Sequence, residues 1–368
     1  MKRLLWTVCL ALVIAGCTDK DKYSDLAYRD QVLSTAGMIF YGEDPDDAGY
    51  DDMYYAFAAG VDEISKASTA AWETFKAKVA KMSRKDRAYM RYIYNDIADM
   101  AQLAEYAYQD TDVAIPEGWV DRGVQDPRII EIFQKPSWSR LMPMGLKCSL
   151  MTNGERNVLV FAGTDFPSSW KDFEQVKHFL VDAYEDIYGA LRDDATQAVL
   201  AGEIVDNLLA AGYVTKENLE FVGHSLGGRL ASEMSVRYGC PAVIFNAAGV
   251  SPETHKKYQA SKASAEEGWR GYVINVVSAN DPLTCAQRYL SVSTDPVKAK
   301  VMEILSSEKK TVDQYVSLGL DVISSVVDKA YERDYRAIGA VMPVKENLSG
   351  HGIRELAIYL RARADLCE

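Results

Sequence analysis

Residues 223–227, Gly-His-Ser-Leu-Gly, set one serine between two glycines. A serine hydroxyl becomes a nucleophile when a histidine can take its proton and a carboxylate holds that histidine in the right tautomer. The chain has four histidines: His178, His224, His255 and His351. His224 adjoins the serine. Neighbouring side chains on a sharp turn point apart, so it reads as a packing or hydrogen-bonding residue. In a strand–turn–helix elbow the partners follow in the order serine, acid, histidine, which leaves His255 and His351. His255 lies in SPETHKKYQ, a polar stretch that reads as surface. His351 lies in LSGHGIRELAIYL, a glycine-flanked loop entering an amphipathic helix, where an imidazole can face a cleft. The acid should follow a strand lying between serine and histidine. Tyr272 to Val277 is the best strand there, and Asp281 falls just past its end, with Asp295 the weaker alternative. Open parallel sheets place their sites at such carboxyl ends. Ser225 is thus the candidate nucleophile, His351 the base and Asp281 the acid.

A tetrahedral intermediate also needs donors for its oxyanion. One is the backbone N–H after the nucleophile, here Leu226; the second comes from an earlier strand–helix loop. NVLVFAGTDF supplies that loop, with Gly163 for close approach and Thr164 for a backbone N–H and a hydroxyl.

These residues need a scaffold. Leu219 to Val222 reads as a short strand, and Gly228 to Tyr238 as a helix with Leu226, Leu230, Met234 and Tyr238 on one stripe. Glu233 and Arg237 stand at the i,i+4 spacing of an ion pair, and Gly239 is a cap. The serine therefore sits at a strand-to-helix turn, the context a nucleophile elbow requires. Ala242–Phe245 and Tyr272–Val277 are further short apolar runs, and helical patterns intervene. Short buried strands alternating with helices predict a parallel sheet covered on both faces. Upstream, LKCSLMT and NVLVFAG read as strands joined through Asn153-Gly154, a hairpin signal. A long helical region is expected from Trp170 to Ala211.

Residues 25–110 read as helical, with apolar residues at spacings of three and four. Tyr89, Tyr92, Tyr94, Tyr106 and Tyr108 there could wall a substrate site, but a helix-packing face is the plainer reading. TDVAIPEG (111–118) is a linker into a domain running from 111 to 368, with a helical insertion at 285–335. That insertion and the N-terminal helices could form a lid or simply cover the sheet.

The first residues carry a different message. Lys2 and Arg3 precede an apolar run from Leu4 to Ala15, too short to span a bilayer. With the small residues that follow, residues 1–16 read as a secretory signal. The run ends Ile14-Ala15-Gly16-Cys17, which resembles the lipobox of bacterial lipoproteins. That resemblance implies lipidation of Cys17, a tether over 17–24 and attachment to the cell envelope. The absence of aspartate after Cys17 resembles the outer-membrane sorting pattern. Cys148, Cys240, Cys285 and Cys367 could oxidise in an exported chain, in any of three pairings. The net charge of −12, spread along the chain, makes nucleic acid a poor partner. No Cys/His cluster has metal-ligand spacing, and EDPDDAGYDD (43–52) lacks the spaced ligands of a calcium loop.

FAGTD, SSWKDF, GHSLGGRLA, SANDP and SGHGI, in that order, resemble the class 3 (fungal-type) lipases and their bacterial relatives. The resemblance covers roughly residue 100 to the C-terminus. It implies an α/β-hydrolase fold, a triad of Ser225, Asp281 and His351, oxyanion donors at Thr164 and Leu226, and no metal or organic cofactor. The implied activity is hydrolysis of carboxylic esters of lipids or smaller alcohols. The N-terminal helical segment, the insertion and the lack of a second proline after the acid depart from the family pattern. Two rivals remain at this level: an acyltransferase using the same acyl-enzyme, and a non-catalytic binding lipoprotein on the same fold. Oligomeric state is not legible in the sequence.

Overall fold

The computed structural model describes residues 61–108, 113–134, 146–163, 196–263, 270–278, 281, 283–284, 337–344 and 351–368. The leader, Cys17, the tether, Thr164, His178, Cys285, Asp295 and the 285–335 insertion lie outside the described residues, as does most of Trp170–Ala211.

Among the described residues two long helices come first, α1 (Val61–Ala80) and α2 (Arg84–Tyr106). Ser83 caps α2 by accepting from the Asp86 N–H at 3.1 Å. After a connection that includes 113–118 come β1 (Val120–Asp121) and two short helices, α3 (Arg122–Gln125) and α4 (Pro127–Gln134). The linker reading ended without these small elements, because two to eight residues carry too little periodicity to be seen.

β2 (Cys148–Thr152) and β3 (Asn157–Phe161) form the expected antiparallel hairpin. Asn153 Oδ1 accepts from the N–H groups of Glu155 and Arg156, and Gly154 takes φ +95°. Then the chain alternates: α5 (Thr196–Ala210), β4 (Leu219–His224), α6 (Leu226–Tyr238), β5 (Ala242–Phe245), α7 (Pro252–Ala263) and β6 (Val273–Ser278). It closes with β7 (Ala340–Val344) and α8 (Ile353–Leu366). β3 to β7 are parallel, and the seven strands lie in sequence order. This mostly parallel sheet with flanking helices is an α/β-hydrolase-type fold.

Sequential order has a consequence. Right-handed crossovers that always step the same way along a sheet put every crossover helix on one face. Leu159, Phe161, Phe221 and Ile244 point to that face and pack with Ile204, Leu208, Leu230 and Met234 of α5 and α6. The alternate residues, Val158, Val160, Val222, Val243, Phe245 and Val276, point the other way. That second face is covered by α2, through Ile93, Ile97, Met100 and Ala104, and by α8, through Leu356 and Leu360. So α2 covers the sheet, and Tyr89 and Tyr94 are core residues.

Charged groups lock this second layer. Arg156 donates to both oxygens of Glu220, at 2.9 Å each, and to Asp96 of α2 at 2.6 Å. Arg354 Nε of α8 lies 2.5 Å from Glu105 of α2, and Arg361 pairs with Asp99.

Three local features differ from expectation. Helix α6 starts at Leu226 rather than Gly228, because Ser225 itself is the N-cap. Glu233 lies 3.7 Å from Arg229 rather than pairing with Arg237. Arg237 turns to Asp206 on the adjacent α5, at 3.0 Å; a tertiary partner displaces the weak i,i+4 pairing. The sequence reading places no strand over β7, which carries Pro343. Pro343 is tolerated because β7 is the last of the described strands of the sheet, where one side needs no ladder donors. Gly239 does cap α6, at φ 70°. Among the described cysteines, Cys148, Cys240 and Cys367 are buried free thiols, so no bridge joins any two of them. Burial pushes the Cys148 thiol up to about 12.

Candidate active site

Strand β4 delivers its last residue, His224, to a sharp turn, and Ser225 takes φ 58°, ψ −125° before α6 begins. A non-glycine residue there is strained by roughly 1–3 kcal/mol and persists only when its surroundings over-determine it. Here they do. The Ser225 N–H donates to the Phe245 carbonyl at 3.0 Å. The Ser225 carbonyl accepts from the N–H groups of Gly228 and Ala248, both at 3.0 Å.

The flanking glycines are steric necessities. A Cβ on Gly223 would overlap the Gly227 carbonyl, and one on Gly227 would overlap the Phe161 carbonyl. Gly163, just past β3, faces the serine directly. A Cβ there would lie 2.8 Å from Ser225 Cβ and 2.6 Å from the His224 carbonyl oxygen. Thr164 follows Gly163 in the chain and lies outside the described residues. Leu226 is the first residue of α6. Its N–H lies at the start of the first turn, the end of the dipole that favours negative charge.

Asp281 is fully buried, three residues past β6. His351, one residue before the N-cap of α8, sets Nδ1 2.6 Å from Asp281 Oδ1. The Asp281 carboxylate also accepts from the Thr284 N–H at 2.8 Å, the Leu283 N–H at 3.3 Å and the Thr284 hydroxyl. An ionised carboxylate only accepts, so Nδ1 of His351 carries the hydrogen and the neutral ring keeps Nε2 as its basic nitrogen. The structure thus brings Asp281 and His351 together, and places His255, the alternative histidine, in the first turn of α7.

His224 is the packing and hydrogen-bonding residue that the sequence suggests, and two residues not assigned to the site, Tyr108 and Asn246, join it. His224 is buried, and its Nε2 lies 2.7 Å from the His351 carbonyl oxygen. The rings of His224 and His351 sit 4.6 Å apart between centroids. Burial first, and then the neighbouring His351, push the His224 pKa down to about 3. Tyr108, just beyond α2, sets its hydroxyl 2.6 Å from His224 Nδ1. Asn246, at the end of β5 with φ 42°, donates from Nδ2 to the same His351 carbonyl at 3.3 Å and to Ser278 Oγ at 3.0 Å. Asn246 follows a buried strand as Asp281 does, so its place at a carboxyl end was a usable signal. Tyr108 stands among the tyrosines that the sequence weighs as a substrate wall against a packing face, but nothing local pairs it with His224, because the contact spans 116 residues.

A family model described as phospholipase-like, the Tle-like phospholipase domain, matches residues 99–337. The match includes Ser225 and Asp281 and stops before β7 and His351. An extracellular phospholipase A1 of Serratia liquefaciens is 30% identical over 155 residues, which is 42% of this chain and 43% of that protein. The chain thus spans under half the length of that curated relative.

Proposed function

The chain belongs to the Tle-like phospholipase domain family, and on that premise we propose that it hydrolyses a carboxylic ester of a phospholipid through an acyl-enzyme on Ser225. The observation that carries the reading is the 2.6 Å contact of His351 Nδ1 with buried Asp281, in a chain whose candidate serine sits on a strained elbow. A serine nucleophile needs a histidine held by a carboxylate in this way.

Ser225 Oγ attacks the ester carbonyl carbon while its proton passes to His351 Nε2. Asp281 keeps the Nδ1 hydrogen and stabilises the imidazolium. The oxyanion is held by the Leu226 N–H and by Thr164. The ester C–O bond then breaks, and His351 returns its proton to the leaving alkoxide, giving the lysophospholipid. Water attacks the acyl-enzyme, its proton goes to His351, and the fatty acid leaves as Ser225 recovers its hydrogen. The chemistry asks for no metal or organic cofactor. In this reading the lipobox-like Ile14-Ala15-Gly16-Cys17 holds the protein to the bacterial envelope through acylated Cys17, beside its substrate.

The test is labelling of the purified mature protein with a fluorophosphonate probe, alongside fatty-acid release from phosphatidylcholine vesicles. Both signals should be present in the wild type and lost in Ser225→Ala. A well-folded wild type that takes up no probe would overturn the reading. Release that appears only with an added alcohol acceptor would reassign the enzyme as a transferase.

A further inference from the structure

The proton positions around His224 follow from its partners. A backbone carbonyl can only accept, so the 2.7 Å contact with the His351 oxygen requires a hydrogen on His224 Nε2. In the neutral ring Nδ1 is then the acceptor, and the Tyr108 hydroxyl is its donor at 2.6 Å. The His351 carbonyl has two lone pairs. His224 Nε2 and Asn246 Nδ2 both point donors at it. Tyr108 is itself held: its carbonyl accepts from Lys147 Nζ at 3.1 Å, beside β2. The helix it follows is tied to α8 through Glu105 and Arg354, three residues past His351.

We propose that Tyr108 is a positioning residue for the catalytic base: through the Tyr108–His224–His351 carbonyl chain, the N-terminal helical layer fixes where His351 stands. The inference rests on the Ser225–His351–Asp281 reading. Asp281 holds the ring of His351, and His224 with Asn246 holds its backbone, so the imidazole is fixed from two sides. The hydroxyl of Tyr108 also lies close to the serine. The point where a Gly163 side chain would begin is 2.5 Å from that hydroxyl and 2.8 Å from Ser225 Cβ. Tyr108 therefore fills the space behind the turn while it orients His224. Misplacing a catalytic group by 1 Å costs about a hundredfold in rate, so a loosened His351 loop should show in kcat without changing how substrate binds.

The experiment compares Tyr108→Phe, His224→Phe, His224→Gln and the Tyr108→Phe/His224→Phe double variant with the wild type. Tyr108→Phe should lower kcat and the fluorophosphonate labelling rate by about tenfold, with KM within twofold and the melting temperature little changed. His224→Phe should lose about a hundredfold. His224→Gln, whose amide can still donate near the Nε2 position, should recover part of that loss. The double variant should be no worse than His224→Phe, because the two side chains act along one path. In 15N-histidine spectra the wild-type His224 should be a neutral Nε2–H tautomer at pH 6. A labelled wild type with an unaffected Tyr108→Phe, strictly additive losses, or His224 found protonated or as the Nδ1–H tautomer would overturn this role alone. A wild type that takes up no probe would overturn the triad and this role together.

Discussion

Arg156 and Glu220 meet through two hydrogen bonds of 2.9 Å, both side chains buried where α2 crosses the sheet. Asp96 supplies the second carboxylate to the same guanidinium, and the Trp119 ring lies 5.2 Å from its centre. Breaking a buried pair by removing one partner costs about 3–5 kcal/mol, since the remaining charge is stranded. Arg156→Met should therefore lower unfolding stability by about that amount. Adding Asp96→Leu and Glu220→Leu should recover much of it. Urea unfolding of the single and triple variants checks both halves.

Gly163→Ala tests the approach of β3 to Ser225. The new methyl has no room between Ser225 Cβ and the His224 carbonyl. Overpacking of this kind costs about 1–3 kcal/mol. Activity should fall further than stability, by about a hundredfold, because the methyl presses on the Tyr108 hydroxyl, the His224 carbonyl and Ser225 Cβ together. The ratio of probe-labelling rate to folded fraction is the quantity to measure.

Asp281→Asn should leave the fold intact and lower kcat by about 10³–10⁴. The Thr284 N–H can still bond the amide oxygen, but the amide nitrogen facing His351 would favour the wrong tautomer. Steady-state ester hydrolysis at neutral pH reads the loss, and an unchanged melting temperature separates it from unfolding.

His224 makes stability depend on pH. Its folded pKa sits at about 3, against 6.5 for the free side chain. Below pH 6.5 the unfolded chain takes up a proton that the folded chain refuses, so the unfolded state gains. Stability is therefore lost as pH falls from about 6.5 toward 3, by up to about 1.4 kcal/mol per pH unit. His224→Gln lacks this site. The stability difference between wild type and variant, from urea unfolding at pH 4, 5, 6 and 7, should shrink toward acid; a constant difference would show that His224 titrates normally.

Much of the candidate site's geometry was legible in the sequence because it is local. A strand, two glycines and a helix within 20 residues fix the elbow around Ser225, since no other side chain fits where Gly223 and Gly227 pass the neighbouring backbone. The order of acid and histidine, and the strand before Asp281, narrowed the remaining choices to residues that do meet at 2.6 Å. The parallel core was legible for a related reason: a strand buried on both faces writes itself as a short apolar run.

Tertiary structure decided the rest. No periodicity says that α2, far upstream in the chain, covers the face that same-handed crossovers leave bare, or that Tyr108 beyond it reaches His224. The preference of Arg237 for Asp206 over Glu233 and the survival of Pro343 in a strand depend on which elements are neighbours and which strand is last. Local sequence sets what a residue can do chemically. Partners more than a hundred residues away are chosen by packing, because only burial brings them within hydrogen-bonding distance.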